Sequence, residues 1–152
     1  MATQEFSRSL PMMLYRSLDA VMPRFRVIFN EFGLTEQQWR VLRVLWEHDD
    51  IAFGELSDIT LIAAPSLVGV IDRLSSQGLV ARRRSDTDRR NVFVGATVKG
   101  RELHRRVRPK VDAAYSELRA SFGIGEWRQL IQALERIAAL EPRAGGRPTV
   151  NQ

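Results

Sequence analysis

Five arginines fall within nine residues of this chain: Arg82, Arg83, Arg84, Arg89 and Arg90. A guanidinium is planar, always charged, and offers a fork of N–H donors that fits phosphate. Such a run points to a polyanionic partner rather than to bond-making chemistry. Asp86 and Asp88 sit among the arginines. Asp88 and Arg90, two apart, are spaced to pair across a turn, and the carboxylate would hold the guanidinium in one orientation. A fixed arginine suits a narrow minor groove. The same charges would also keep an exposed hairpin from pairing edge to edge with another sheet.

The elements around the run must present it. Residues 85–90, SDTDRR, are a turn by composition. Leu79 to Arg84 and Asn91 to Ala96 read as strands on either side, with Val92 and Val94 alternating with Phe93. Ahead of them, Pro65 suits the start of a helix, where its missing N–H costs nothing. Leu67, Val70, Ile71 and Leu74 recur at helical spacing as one buried face. That leaves Pro65, Ser66, Val68, Gly69, Asp72 and Arg73 off the face and free to meet a groove. Gly78 ends the helix as a left-handed cap. A shorter helix begins near Gly54, with Leu56, Ile59 and Leu61 expected to hold it against its neighbours. Helix, turn, helix and basic hairpin is the order of a winged helix-turn-helix, in which one helix enters the major groove and the wing follows the backbone. The candidate DNA contacts from the wing are Arg82, Arg84, Asp88, Arg89 and Arg90.

The chain here resembles the MarR-type transcriptional regulators. The resemblance rests on ELSDIT (55–60), IDRLSSQGLVARR (71–83) and DRRNVFVGATVKG (88–100). The family's wing carries Asp-x-Arg, a Val-x-Val strand and Leu-Thr-x-x-Gly. Asp88 and Arg90, Val92 and Val94, and Thr97 and Gly100 match these in turn. Ala96 stands where Leu is usual, and Gly69 where many members carry a polar or basic base reader. GLTEQQWRVLRVLWE (33–47) and SLPMMLYRSLDAVMPRFR (9–26) are similar to the subgroup named for repression of homoprotocatechuate degradation operons. That likeness implies a repressor that answers hydroxyphenylacetates.

The flanking segments are amphipathic. Phe6 to Phe32 reads as a long helix that Pro23 should kink. Thr35 then opens another, with Gln38 three residues on as a capping box, burying Trp39, Leu42, Leu45 and Trp46. Thr97 to Phe122 reads as a second long helix containing Pro109. Trp127, Leu130, Ile131, Leu134, Ile137 and Ala138 stripe a last one. Both ends carry more apolar surface than one small domain needs, which argues for a homodimer reading a pseudo-palindromic operator. The family resemblance implies interdigitated termini as well. We expect a mainly α fold with a small β wing. Residues 1–34 and 101–140 would form dimerisation helices around a DNA-binding region at 35–100, and 141–152 a disordered tail.

An effector site is readable only as arginines beside aromatic and methionine stripes. Arg16 follows Met13, and Arg40 and Arg43 flank Trp39. A guanidinium at the edge of an apolar cleft can take a carboxylate by two parallel hydrogen bonds while rings cover an aromatic acid. Equally, such stripes pack cores and such arginines reach past them to water.

The chain has 152 residues, 44% hydrophobic, enough for one core. Its 23 basic residues exceed the 18 acidic ones, for a net charge of +5. The absence of cysteine removes disulfides and thiol sensing. No apolar run approaches the roughly 18 residues of a membrane span, and the start lacks a signal region, so a cytoplasmic location is expected. Two histidines, no phosphate-cradling loop and no metal-ligand spacing leave an enzyme without machinery, and no cofactor or metal is expected. The partners expected are double-stranded DNA, a second copy and a small aromatic carboxylate, with no membrane. The alternatives are a different phenolic or drug-like ligand, or a winged-helix protein-interaction module.

Overall fold

The computed structural model describes residues 5–140. The tail expected over 141–152 lies outside the described residues. After a single 3-10 turn at Phe6–Arg8 come α1 (Leu10–Glu31), α2 (Glu36–Leu45), β1 (Ile51–Ala52), α3 (Phe53–Thr60) and α4 (Ala64–Ser76). Then follow β2 (Val80–Arg84), β3 (Val92–Ala96), α5 (Val98–Ala120) and α6 (Glu126–Ala138). The chain forms two compact units, divided between Ala114 and Tyr115.

In the first unit, the capping box starts α2 as its sequence requires. The Gln38 amide N–H donates to the Thr35 hydroxyl at 3.1 Å, and the Thr35 N–H to Gln38 Oε1 at 3.0 Å. The core gathers Phe25 and Phe29 of α1, Val41, Leu42 and Leu45 of α2, and Leu56 of α3. Leu67, Val70, Ile71 and Leu74 of α4, Val94 of β3, and Leu103 and Val107 of α5 belong to it as well. All four α4 residues belong to the face read from the sequence. Gly33 and Gly78 take the left-handed conformation at the ends of α1 and α4, at φ +67° and +73°.

The strands form one antiparallel sheet in the order β1-β3-β2. The register sets Arg82 opposite Val94, Arg83 opposite Phe93 and Arg84 opposite Val92. β1 has no counterpart in the sequence reading; two residues are too few to show a period. Leu61 also departs from expectation. It adopts φ +55°, ends α3, and is 84% exposed rather than packed. Ile59 is exposed too; Leu56 is buried as expected, and Thr60 and Ile62 take the buried places instead of Ile59 and Leu61. The first helix starts later than expected, at Leu10, and runs unbroken through Pro23 to Glu31.

In the second unit, the end of α5 leads through Gly125, left-handed at φ +87°, into α6. Phe122 meets Trp127 edge to face at 5.5 Å, and the Arg119 guanidinium lies over the Trp127 ring. No residue of α6 is buried, although its apolar positions form one stripe. Among the described residues, no single helix is long and apolar enough to cross a membrane.

Candidate nucleic-acid interface

The α3 and α4 axes turn through 104°, within the range of a helix-turn-helix. Polar groups close the turn. Ser57 Oγ donates to the Ile62 carbonyl at 2.7 Å, and Thr60 Oγ1 to the Leu56 carbonyl at 2.6 Å. Arg40 Nη1 reaches from α2 to the Thr60 carbonyl at 2.9 Å. The end of α3, where Thr60 is buried, thereby gains a charged donor for one of its unpaired carbonyls.

On α4, Pro65, Ser66, Val68, Asp72 and Arg73 are exposed, and Gly69 is half-buried. A Cβ built on Gly69 meets nothing within 4 Å. Asp72 is paired with Arg82 of β2, which joins α4 to the wing. The register explains the choice of partner: Arg82 shares its sheet face with buried Val94 and so lies toward α4, whereas Arg83 lies on the other face. Arg83 stands over the Phe93 ring at 5.0 Å and donates to Asp50 at 3.2 Å. Between α4 and the wing opens a cleft of about 490 Å³, lined by Ala52, Phe53, Gly54, Val68, Asp72, Arg82, Arg90, Asn91 and Val92.

At the wing tip, Asp88 Oδ1 accepts from the Arg90 backbone N–H at 3.0 Å and from Arg90 Nε at 3.3 Å. The pair foreseen from the spacing is thus present. The Arg90 side chain is 94% exposed, so it is oriented yet stands in solvent. Arg84 and Arg89 are exposed as well.

The wing root is tied to α5 by the Thr-x-x-Gly segment. Thr97 Oγ1 donates to the Gly78 carbonyl at 2.6 Å and accepts from the Gly100 N–H at 3.1 Å. A Cβ at Gly100 would overlap the Leu79 carbonyl oxygen. Trp46 Nε1 donates to the Gly100 carbonyl at 3.0 Å. A ladder of rings leads back from there: Trp46 meets Trp39 at 5.4 Å, Trp39 stacks on Phe29 at 4.7 Å, and Phe29 on Phe25 at 6.4 Å. On the other side His104 stacks on Trp46 at 4.4 Å. Desolvation first, then the charges of Arg43, Arg108 and Arg101, push the His104 pKa below its ordinary value, against the opposing pull of Asp112.

The sequence-expected effector residues are distributed unevenly. Trp39 is in the ring ladder, and Arg43 lies one turn further along α2, paired with Glu47 at 3.0 Å. Arg40 holds the helix-turn-helix turn. Met13 and Arg16 are exposed on the first half of α1, with Arg16 about 14 Å along the axis from Phe25 by helical rise. Sequence reasoning did not mark Trp46 with His104 or Arg40 with Thr60 as pairs, because both are tertiary. The Thr97–Gly100 spacing was visible, but its meaning was not.

A recognition helix, a tight turn and an arginine-tipped wing on one face define a winged helix-turn-helix DNA-binding regulator. The sequence model of the MarR family matches residues 32–91. The chain is 35% identical to the homoprotocatechuate degradative operon repressor of Escherichia coli, over 87% of its own length and 89% of that protein. It is 33% identical to the HTH-type transcriptional regulator FarR of Neisseria gonorrhoeae, covering 93% of this chain and 97% of FarR. Among solved structures, NadR in complex with 4-hydroxyphenylacetate superposes with a TM-score of 0.80 and 33% identity, across 93% of this chain and all (100%) of that one. The chain belongs to the MarR family of transcriptional regulators.

Proposed function

We propose that this protein represses an operon for the breakdown of an aromatic acid, of the hydroxyphenylacetate or homoprotocatechuate type. It leaves its operator when a small aromatic carboxylate binds. The observation that carries the reading is the full-length similarity to NadR, whose structure holds 4-hydroxyphenylacetate. The name of the similar Escherichia coli repressor agrees with it.

In this reading Pro65, Ser66, Val68, Gly69, Asp72 and Arg73 face the major groove. Arg82, Arg84, Asp88, Arg89 and Arg90 belong to the wing contact with backbone and minor groove. Arg43 takes the effector carboxylate in two parallel hydrogen bonds, exchanging Glu47 for it, and Trp39 covers the ring. Arg16 and Met13, exposed on the first half of α1, are too far along the helix to reach Trp39 of their own chain and would close the site only across the dimer, and Arg40 relays occupancy to the turn it holds. The regulator works in the cytoplasm as a homodimer on a pseudo-palindromic operator, with residues 1–34 and 101–140 supplying the dimer contacts. The half-exposed stripe of α6 and the exposed Leu10, Met13, Leu14 and Leu18 of α1 support a partner copy. Release follows from differential affinity: the ligand prefers a dimer whose reading heads no longer match the half-site spacing.

Fluorescence anisotropy on a duplex from the gene's own upstream region, at two salt concentrations, tests this. Tight, salt-sensitive binding that 4-hydroxyphenylacetate or homoprotocatechuate releases is expected, with release lost in Arg43→Ala while its DNA affinity stays near normal. Binding untouched by both acids would overturn the inducer assignment.

A further inference from the structure

The exposed face of α4 is poor in hydrogen-bonding side chains. Its centre line is Pro65, Gly69, Asp72 and Ser76 by helical periodicity. Proline and glycine offer no side-chain donor or acceptor. The Asp72 carboxylate is taken up by Arg82, and Ser76 Oγ donates to the Arg73 carbonyl at 2.9 Å. Ser66 and Arg73 remain, together on one flank. The other flank, toward the wing, presents Val68, 46% exposed although it is β-branched and apolar. It sits in the second turn of α4 and lines the cleft with Phe53 and Val92. The N-terminal part of a recognition helix is the part that meets base edges. The one apolar group a base pair offers in the major groove is the thymine C5 methyl.

We propose that α4 reads thymine methyl groups through Val68, and that this apolar contact, set on the wing side of the helix, is a main source of its base selectivity. The inference rests on α4 entering the major groove. The neutralised Asp72 fits the scheme. A lone carboxylate there would be repelled by phosphate, whereas the Arg82 pair removes that repulsion and leaves Val68 beside an ion pair instead of a bare charge. Gly69, with open space at its Cβ, lets the helix backbone come close enough for a short side chain such as valine to reach the methyl.

The probe is a duplex selected from a random-sequence pool by the full-length protein, with each thymine replaced in turn by uracil, which lacks only the methyl. Anisotropy titrations compare the wild type, Val68→Ala, Val68→Thr and Arg90→Ala. We expect at least one thymine per half-site whose replacement weakens wild-type binding about fourfold, the value of one buried methyl-sized group. Val68→Ala should bind the thymine duplex more weakly and lose the difference between thymine and uracil there. Val68→Thr, similar in shape with one methyl kept, should retain part of it. Arg90→Ala should weaken both duplexes alike. Indifference of the wild type to uracil at every position would overturn the proposal while leaving DNA binding intact. So would an undiminished uracil effect in Val68→Ala. Failure to select any duplex would overturn it together with the DNA-binding reading on which it rests.

Discussion

Gly69 and His104 show how a single side chain sets a property that the fold does not require. Gly69 lies inside α4 without a positive φ and with open space where a Cβ would be, so nothing within the protein calls for glycine there. Gly69→Ala should stabilise the chain by about 1 kcal/mol through helix propensity, read as a higher thermal midpoint. A more stable variant that binds DNA more weakly would show the helix backbone itself approaching the duplex. A less stable one would contradict the open geometry. His104 stacks on Trp46, which caps the end of α2, with Arg43 on that helix and Arg101, Arg108 and Asp112 on α5. Its pKa in the folded chain lies below the unfolded value near 6.5. The unfolded chain therefore binds the proton more readily, and stability falls as pH drops through and below that value. His104→Phe keeps the stack without the titration. Its thermal midpoint should change less than that of the wild type between neutral pH and pH 5, and equal slopes would remove His104 from the pH response.

At the scale of elements, the segment from Gly78 to Gly100 joins recognition helix, wing and long helix through backbone groups. One Thr97 hydroxyl both accepts from the Gly100 N–H, as a helix cap, and donates to the Gly78 carbonyl. Thr97→Ala should lower stability by about 1–2 kcal/mol, and Thr97→Ser should recover most of it, as urea unfolding would show. An alanine variant as stable as the wild type would mean that the wing root is held by the sheet alone. The elements themselves were largely legible. The α2 capping box, the buried face of α4 and the arginine tip are local patterns, and local patterns survive in the fold. What escaped the sequence is non-local. β1 exists because Ile51 and Ala52 meet Val94 and Phe93. Leu61 looked like core until the left-handed turn after α3 put it in solvent. Arg40 reads from the sequence as a candidate effector contact beside Trp39, whereas its guanidinium is turned to the Thr60 carbonyl at the end of α3. The Trp46 bond to Gly100 spans 54 positions. The same limit applies to the candidate site: the Asp88–Arg90 pair follows from spacing, whereas the union of Asp72 with Arg82 depends on sheet register.

At the scale of the whole molecule, the decisive feature is the apolar surface left exposed among the described residues. Leu10, Met13, Leu14, Tyr15 and Leu18 are exposed on α1, and Leu130 and Leu134 are each 37% exposed on an α6 that buries nothing. Burying a leucine is worth roughly 1.5–3 kcal/mol, so stripes of this length favour association strongly. A dimer would bring two recognition helices to bear on one duplex, and half-sites about 34 Å apart on one DNA face would match its two-fold axis. The double variant Leu130→Asp, Leu134→Asp places two carboxylates in the α6 stripe. Sedimentation equilibrium should give twice the chain mass for the wild type and a shift toward the single chain mass for the variant. Because α4 and the wing keep their own core of Leu67, Val70, Ile71, Leu74 and Val94, the variant should retain weak, salt-sensitive binding to non-specific DNA while losing tight operator binding. That pattern would locate affinity in the pairing of two reading heads. A variant that stays dimeric would shift the interface to α1 alone. A monomeric variant with undiminished operator affinity would mean that one reading head suffices and that two-fold symmetry plays no part in recognition.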